Sequence, residues 1–284
     1  MGRKNNDGRQ EQELLWLLKH EVPVVMFYLD NLINTCLKFA LNKASNKFKL
    51  SCTSSTSTVE ALRGNALLHQ DTLCSMEMFI KPNKTVATIK ASFRSDKQWK
   101  LQQIQDSYNH IREVSRVLET MKHCHAPCTP DAVVSTLDSI IKHLTRCQSR
   151  LMLPCQLSLS SLIGSGFTKM FAPPLPGDTL MNSYVIEDRL VVTHYTVQQA
   201  HLNASLNANK GGKLNHNPVA GRALFHDVGS IMEYSGARYE VSTANKAECV
   251  IPVLTNLLQT ASSALVQCQS LKDKFMKLSW PLYC

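Results

Sequence analysis

The sequence predicts an α+β protein: an antiparallel four-helix bundle formed from both chain ends and the middle, plus one mostly antiparallel β domain at one end of that bundle. Two observations predict it. Heptad-spaced apolar seams occur near both termini and twice in the middle. Strand-like segments bounded by turn residues fall only in the two stretches between those seams.

The last seam is the clearest. Leu254, Leu257, Ala261, Ala264, Cys268, Leu271, Phe275 and Leu278 follow strict a/d spacing, and Leu258 and Leu265 widen it into a face. Gln259, Ser263, Gln267, Lys274 and Lys277 lie outward. Near the other terminus, Leu15, Leu18, Val22, Val25, Leu29, Leu32, Cys36 and Phe39 repeat the pattern, with Met26 and Ile33 beside it. A lone amphipathic helix cannot keep such a seam in water, so the two ends are expected to pack together.

In chain order, residues 1–10 are polar and expected to fray. Helix one should run from about Gln12 to Leu41, kinked at Pro23, which removes one backbone bond. Asn42–Ser57 reads as a linker. Leu73–Ile80 and Thr85–Phe93 read as a hairpin across Lys81–Lys84. Asp96 is expected to cap a second helix to about Met121, with seam residues Leu101, Ile104, Tyr108, Ile111 and Leu118 and Ser115 as the polar position. The short Lys122–Thr129 connection forces helix three to return antiparallel on Val133, Leu137, Ile140, Leu144, Cys147 and Leu151, until Pro154 ends it.

A short helix is expected within Leu159–Met170, then irregular chain over Ala172–Asp178, whose Pro173–Pro176 stretch reads as a rigid linker. Met181–Ile186 should pair with Leu190–Val197, and Ile231–Tyr234 with Arg238–Ser242 across Ser235-Gly236. Asn203–Asn217 reads as an exposed loop. The last helix starts either near Asn245, where Glu248 completes a capping box, or near Pro252, which suits a first turn. The predicted units are 12–41, 96–153 and 245–280 for the helices, and 50–94 with 155–243 for the β domain. Helices of this length reach about 45 Å, and following their directions brings both β excursions to one end, where they can merge into one sheet.

Composition narrows the function classes. The net charge of +9 is spread along the chain, with no nucleic-acid-binding motif beside it, so a solvated basic surface is expected rather than nucleic acid. No secretory signal pattern precedes the ten cysteines, which read as buried thiols of a reducing compartment. The apolar run Val22–Leu29 is too short to span a bilayer, and neither myristoyl nor prenyl anchor motifs fit.

Phosphate-loop, dinucleotide and HExxH motifs are absent from the sequence, and Gly164-Ser165-Gly166 lacks the spacing of a nucleophile elbow. His123-Cys124-His125 with Cys128 has metal-type donors, but adjacent residues rarely converge on one tetrahedron. Cys249 and Cys284 have no activating neighbour. His110 and His143 lie on polar helix faces and are expected in solvent. No cofactor is expected. An alternative enzyme reading, a hydrolase or metal-dependent enzyme on the β domain, would use His194, Tyr195 and His226.

Asp96-Lys97-Gln98-Trp99-Lys100-Leu101-Gln102-Gln103-Ile104-Gln105-Asp106 resembles the signature of the Rogdi family of leucine-zipper-domain proteins. Phe167–Asp178, Glu248–Leu254 and Leu271–Lys274 resemble the same family in the same order, and the likeness runs from Trp16 to near the C-terminus. The resemblance implies a zipper-like helical bundle with a β domain. It also implies a non-enzymatic adaptor in a RAVE-type (rabconnectin) complex, whose large β-propeller scaffolds promote assembly of the cytosolic sector of the vacuolar-type proton ATPase onto its membrane sector. Such an adaptor would be a cytoplasmic monomer recruited peripherally to endosomal and synaptic vesicle membranes, with the nuclear envelope a further location, and would support acidification of endosomes, lysosomes and synaptic vesicles. The expected structural residues are Leu15, Leu18, Val22, Leu29, Leu32, Leu254, Leu257, Leu271, Phe275 and Leu278. Trp99 and Trp280 are the candidate partner contacts, as exposed aromatics often anchor interfaces.

Overall fold

The computed structural model describes residues 2–41, 45–52, 61–81, 87–123, 129–153, 157–200 and 226–279. The expected loop Asn203–Asn217, residues 124–128 of the His/Cys cluster, Trp280 and Cys284 lie outside them. The chain divides into two compact units: a helical one of Met1–Lys43, Gln102–Met152 and Pro252–Cys284, and a sheet one of Ala44–Leu101 and Leu153–Ile251.

The helical unit begins with α1 (Gly2–Trp16), which starts well before Gln12. The chain is helical where fraying was expected, and Arg9 pairs with Glu13 one turn on at 3.3 Å. At the expected kink a π-helical turn, Leu17–Glu21, leads into α2 (Val22–Leu41). Pro23 has no N–H to give and its ring crowds the preceding turn. The helix widens there, the Val22 N–H reaching back five residues to the Leu17 carbonyl.

That extra residue rotates the seam and corrects the heptad reading of this segment. The buried residues are Leu17, Val22, Leu29, Ile33 and Cys36, whereas Leu15 is 60% exposed. Leu18 and Leu32 are only half-buried.

Helix α3 (Gln102–His123) starts six residues after Asp96, because Trp99 and Lys100 are taken by the sheet. Val114 fills the seam position given to Ser115, and Ser107 is the buried polar residue, donating to the carbonyls of Gln103 (2.8 Å) and Cys147 (3.1 Å). Helix α4 (Pro130–Met152) has Pro130 in its first turn, with Thr129 Oγ1 accepting from the Ala132 N–H at 3.3 Å. All six of its expected seam residues are buried.

Helix α6 runs from Pro252 to Ser279, the later of the two starts; Asn245 and Glu248 belong to a strand, so no capping box forms there. Leu254, Leu257, Leu271 and Phe275 are buried and Leu278 is half-buried.

Helix α2 packs on α3 and α6, and α4 on the same two helices. Polar pairs flank three of these contacts: Glu21, at the end of the π turn, with Lys274 of α6, Asp30 with Lys122 at 2.8 Å between α2 and α3, and Asp138 with Lys272 at 2.5 Å between α4 and α6. The first and last long segments therefore lie side by side.

In the sheet unit, β1 (Asn46–Cys52), β2 (Leu62–His69), β3 (Thr72–Ile80), β4 (Ile89–Phe93) and β5 (Trp99–Lys100) come from the first excursion. A short helix α5 (Leu159–Gly164), a 3₁₀ turn (Phe167–Met170), β6 (Phe171–Ala172), β7 (Thr179–Ile186), β8 (Arg189–Gln199), β9 (Ile231–Tyr234) and β10 (Ala237–Val250) come from the second. They form one sheet of ten strands in the order β6-β4-β3-β2-β1-β10-β8-β7, with β5 on β3 and β9 on β10. Every pairing among the described strands is antiparallel.

Strand β1 lies where a linker was expected, and β2 was not anticipated. β1 joins the excursions, pairing along Asn46–Leu50 with β2 and at Ser51↔Glu248 and Cys52↔Ala247 with β10. Its alternation of exposed Lys47 and Lys49 with Phe48 and buried Leu50 is the two-residue period of a half-buried strand. Gly64 in β2 faces β3 so closely that an added Cβ would lie 2.2 Å from the Glu77 carbonyl oxygen. The β9–β10 turn, Ser235-Gly236, has φ of 50° and 75°, the paired positive values of a tight hairpin turn.

Candidate functional site

The three residues of the enzyme reading are not brought together. His194 and Tyr195 are consecutive in β8, opposite Met181 and Leu180 of β7 respectively, and consecutive strand residues face opposite sides of a sheet. Tyr195 packs in a core with Leu159, Leu162, Leu180, Val197, Met232 and Val241. His226 joins Tyr195 only: its backbone N–H donates to the Tyr195 hydroxyl at 3.3 Å. Its Nε2 donates to the Leu157 carbonyl at 2.9 Å, which fixes the ring's proton there when neutral.

His194 is 1% exposed, and its Nδ1 has no hydrogen-bond partner among the described residues. Burial pushes its pKa down to about 4, so the ring is neutral at physiological pH. A sealed imidazole on the far side from Tyr195 and His226 cannot work with them on a substrate.

The thiols are equally withdrawn. Burial raises Cys36 and Cys249 to about 11 and Cys147 and Cys268 to about 12, where the nucleophilic thiolate is scarce. His123 is the exposed last residue of α3. Among the described residues, no group of three His, Cys, Asp or Glu side chains could hold a metal ion.

Trp99 is half-buried, its ring 4.9 Å from Phe167 in an edge-to-face contact. Phe167 in turn meets Phe93 at 5.8 Å and Phe171 at 5.7 Å. Strand pairing sets this cluster: Trp99 lies opposite Leu73, and Phe93 opposite Phe171. The stretches around Trp99 and Phe167 thus meet as an aromatic core inside the sheet unit. Trp99 has a structural partner and is a poor candidate for an intermolecular anchor.

One run of exposed apolar residues lies on the N-terminal helices. Trp16 (57% exposed) precedes the π turn, and Val24 (67%), Phe27 (70%) and Tyr28 (44%) follow it, the last three spaced by three and four residues as on one helix face. The Trp16 ring packs 5.8 Å from that of His20, which continues the row. Beside Trp16 a groove of about 580 Å³ is bounded by Leu17, Glu21, Lys274, Lys277 and Leu278. The sheet unit has its own cleft of about 500 Å³, with Lys169, Phe171, Leu175, Tyr234 and Tyr239 among its walls.

Sequence reasoning missed the helical row, although its signal was present. Val24, Phe27 and Tyr28 are apolar residues in excess of the heptad, and a helix apolar on two sides has a second surface to cover. Among the described residues, no helix is long and apolar enough to cross a membrane.

Fold and surface define a class: an α+β protein whose long helices carry leucine-zipper spacing and whose sheet is antiparallel. Residues 13–275 match the family described as Rogdi leucine zipper containing protein. The Protein rogdi homolog of Danio rerio is 32% identical over 273 residues, which span 95% of this chain and 93% of that protein. The Homo sapiens homolog is 33% identical over 278 residues, spanning 95% and 92% respectively. Drosophila melanogaster Protein rogdi is 26% identical over 191 residues. The chain belongs to the Rogdi family.

Proposed function

We propose that this chain is a non-enzymatic adaptor subunit of a RAVE/rabconnectin-type complex, promoting assembly of the vacuolar-type proton ATPase and so acidification of endosomes, lysosomes and synaptic vesicles. Family membership supports this reading. The observation that carries it is the exposed row Trp16, Val24, Phe27 and Tyr28, a surface suited to a protein partner. The helical unit then works as an antiparallel four-helix bundle whose inner seam supplies stability and whose outer apolar row supplies binding. The partners are the large propeller scaffold and, through it, the cytosolic pump sector. Recruitment to vesicle membranes is indirect, and the free protein is a cytoplasmic monomer.

The test is affinity purification of the full chain from tissue extract, comparing wild type with Phe27→Asp. Phe27 is exposed, so its substitution should move stability by no more than about 0.5 kcal/mol. The expected result is an unchanged melt with loss of the propeller scaffold and cytosolic pump subunits, and slower vesicle re-acidification in cells carrying the variant. If the wild type brings down neither partner, the adaptor reading falls. If both proteins capture them equally, the row is not the contact.

A further inference from the structure

His110 and His143 were expected in solvent. They instead face each other across α3 and α4, Nδ1 to Nδ1 at 3.3 Å with ring centroids 5.6 Å apart, both half-buried. At that distance one Nδ1 must donate and the other accept. The pair can satisfy itself with both rings neutral, using opposite tautomers. It can also do so with one ring charged, the imidazolium Nδ1–H donating to its neutral neighbour. It cannot with both charged, because each Nδ1 then carries a proton and neither has a lone pair.

The surroundings set the direction. Asp106 lies one turn before His110 on α3, but its carboxylate is shared with the Gln102 side-chain amide (2.9 Å) and Arg150 (3.8 Å). Arg146 and Arg150 of α4 add positive charge. Of the neighbouring helices, Asp30 of α2 is paired with Lys122 and Lys272 of α6 with Asp138. Burial, then the charges of His143, Arg146 and Arg150, lower the pKa of His110, and Asp106 offsets this in part.

We propose that His110 and His143 form a proton-linked latch between α3 and α4, closed while the pair carries at most one positive charge and released when acid charges both rings. The sign follows from the pair. His110 takes up its proton less readily in the folded chain than an isolated histidine does. The latch's contribution is therefore intact at neutral pH and is lost as pH falls below the ordinary histidine range. The latch is independent of the adaptor reading.

The experiment is an NMR titration of the full chain with ¹⁵N-labelled histidine, from pH 8 to pH 5, on wild type, His143→Gln and His110→Gln. Backbone hydrogen exchange is followed alongside around positions 107–114 of α3 and 140–147 of α4. In wild type we expect His110 to charge only below the ordinary histidine range, with exchange protection in both segments falling as it does. In His143→Gln, His110 should titrate at higher pH than in wild type, and protection should persist through the change. A His110 curve identical in wild type and His143→Gln overturns the latch, as does wild-type protection unchanged when both rings are charged. Both rings are part-exposed, so the variants should fold. Were either not to, the wild-type His110 curve and protection decide alone.

Discussion

His194 shows how a single residue can be structural while looking catalytic. Its ring is neutral in the folded chain because burial holds its pKa near 4, whereas an unfolded histidine titrates at about 6.5. On acidification the unfolded chain takes up this proton first. The associated stability is complete above about pH 6.5 and is lost progressively towards pH 4, on the order of 3 kcal/mol at the low end. We predict that His194→Leu flattens the dependence of the melting temperature on pH between 7 and 4 relative to wild type. Parallel curves would show that this ring is not the source. The sequence showed a histidine in a strand pattern and left both roles open; only the burial of both faces of β8 decides, and the pattern along one strand does not show what covers it. Ser107 teaches the same lesson. Helical spacing placed Ser115 on the seam, whereas the structure buries Ser107 and satisfies it through a carbonyl of α4.

Among elements, α4 and α6 were legible almost residue by residue, since an unbroken 3.6-residue period fixes which side is buried. The N-terminal helix was legible as a helix and misread in phase. Its π turn inserts one residue, and each inserted residue turns a helix by about 100°, enough to bring Leu17 to the core in place of Leu18 and to leave Leu15 outside it. We therefore predict that Leu17→Ala costs about 2–5 kcal/mol, while Leu15→Ala stays within about 0.5 kcal/mol, by chemical denaturation. The heptad reading requires Leu15 to be costly, so the pair of measurements separates the two phases. Strand β1 escaped notice because Asn, Lys, Ser and Thr surround it, and its few apolar positions carry too little signal against that composition. The boundary at Pro252 was undecidable locally: Asn245 and Glu248 do fit a helix cap, but eleven β8 partners hold Ala237–Val250 in the ladder instead.

For the whole molecule, the general plan of zipper-seamed helices and one merged sheet could be read from the order of patterns along the chain. Its candidate site could not, because an interaction surface is whatever apolar face remains after folding, and the sequence does not subtract the buried one. Each unit is assembled from separated stretches, and α6 contributes Leu254, Leu257, Ala261, Ala264, Cys268, Leu271 and Phe275 to one of them. Removing residues 252–284 should leave the buried faces of α2 and α4 open. We expect a chain that aggregates or lacks cooperative unfolding, measured by light scattering and calorimetry; a truncated protein that melts sharply as a monomer would show that α6 is dispensable.

The placement of β1 also governs how the protein is made. Ser51 pairs with Glu248, which lies 197 positions later in the chain. At about 5–20 residues per second on the ribosome, that edge waits roughly 10–40 s for its partner strand to be synthesised. During that interval a nascent chain offers an open ladder to any neighbour on the same message, and holding it apart is work for a chaperone.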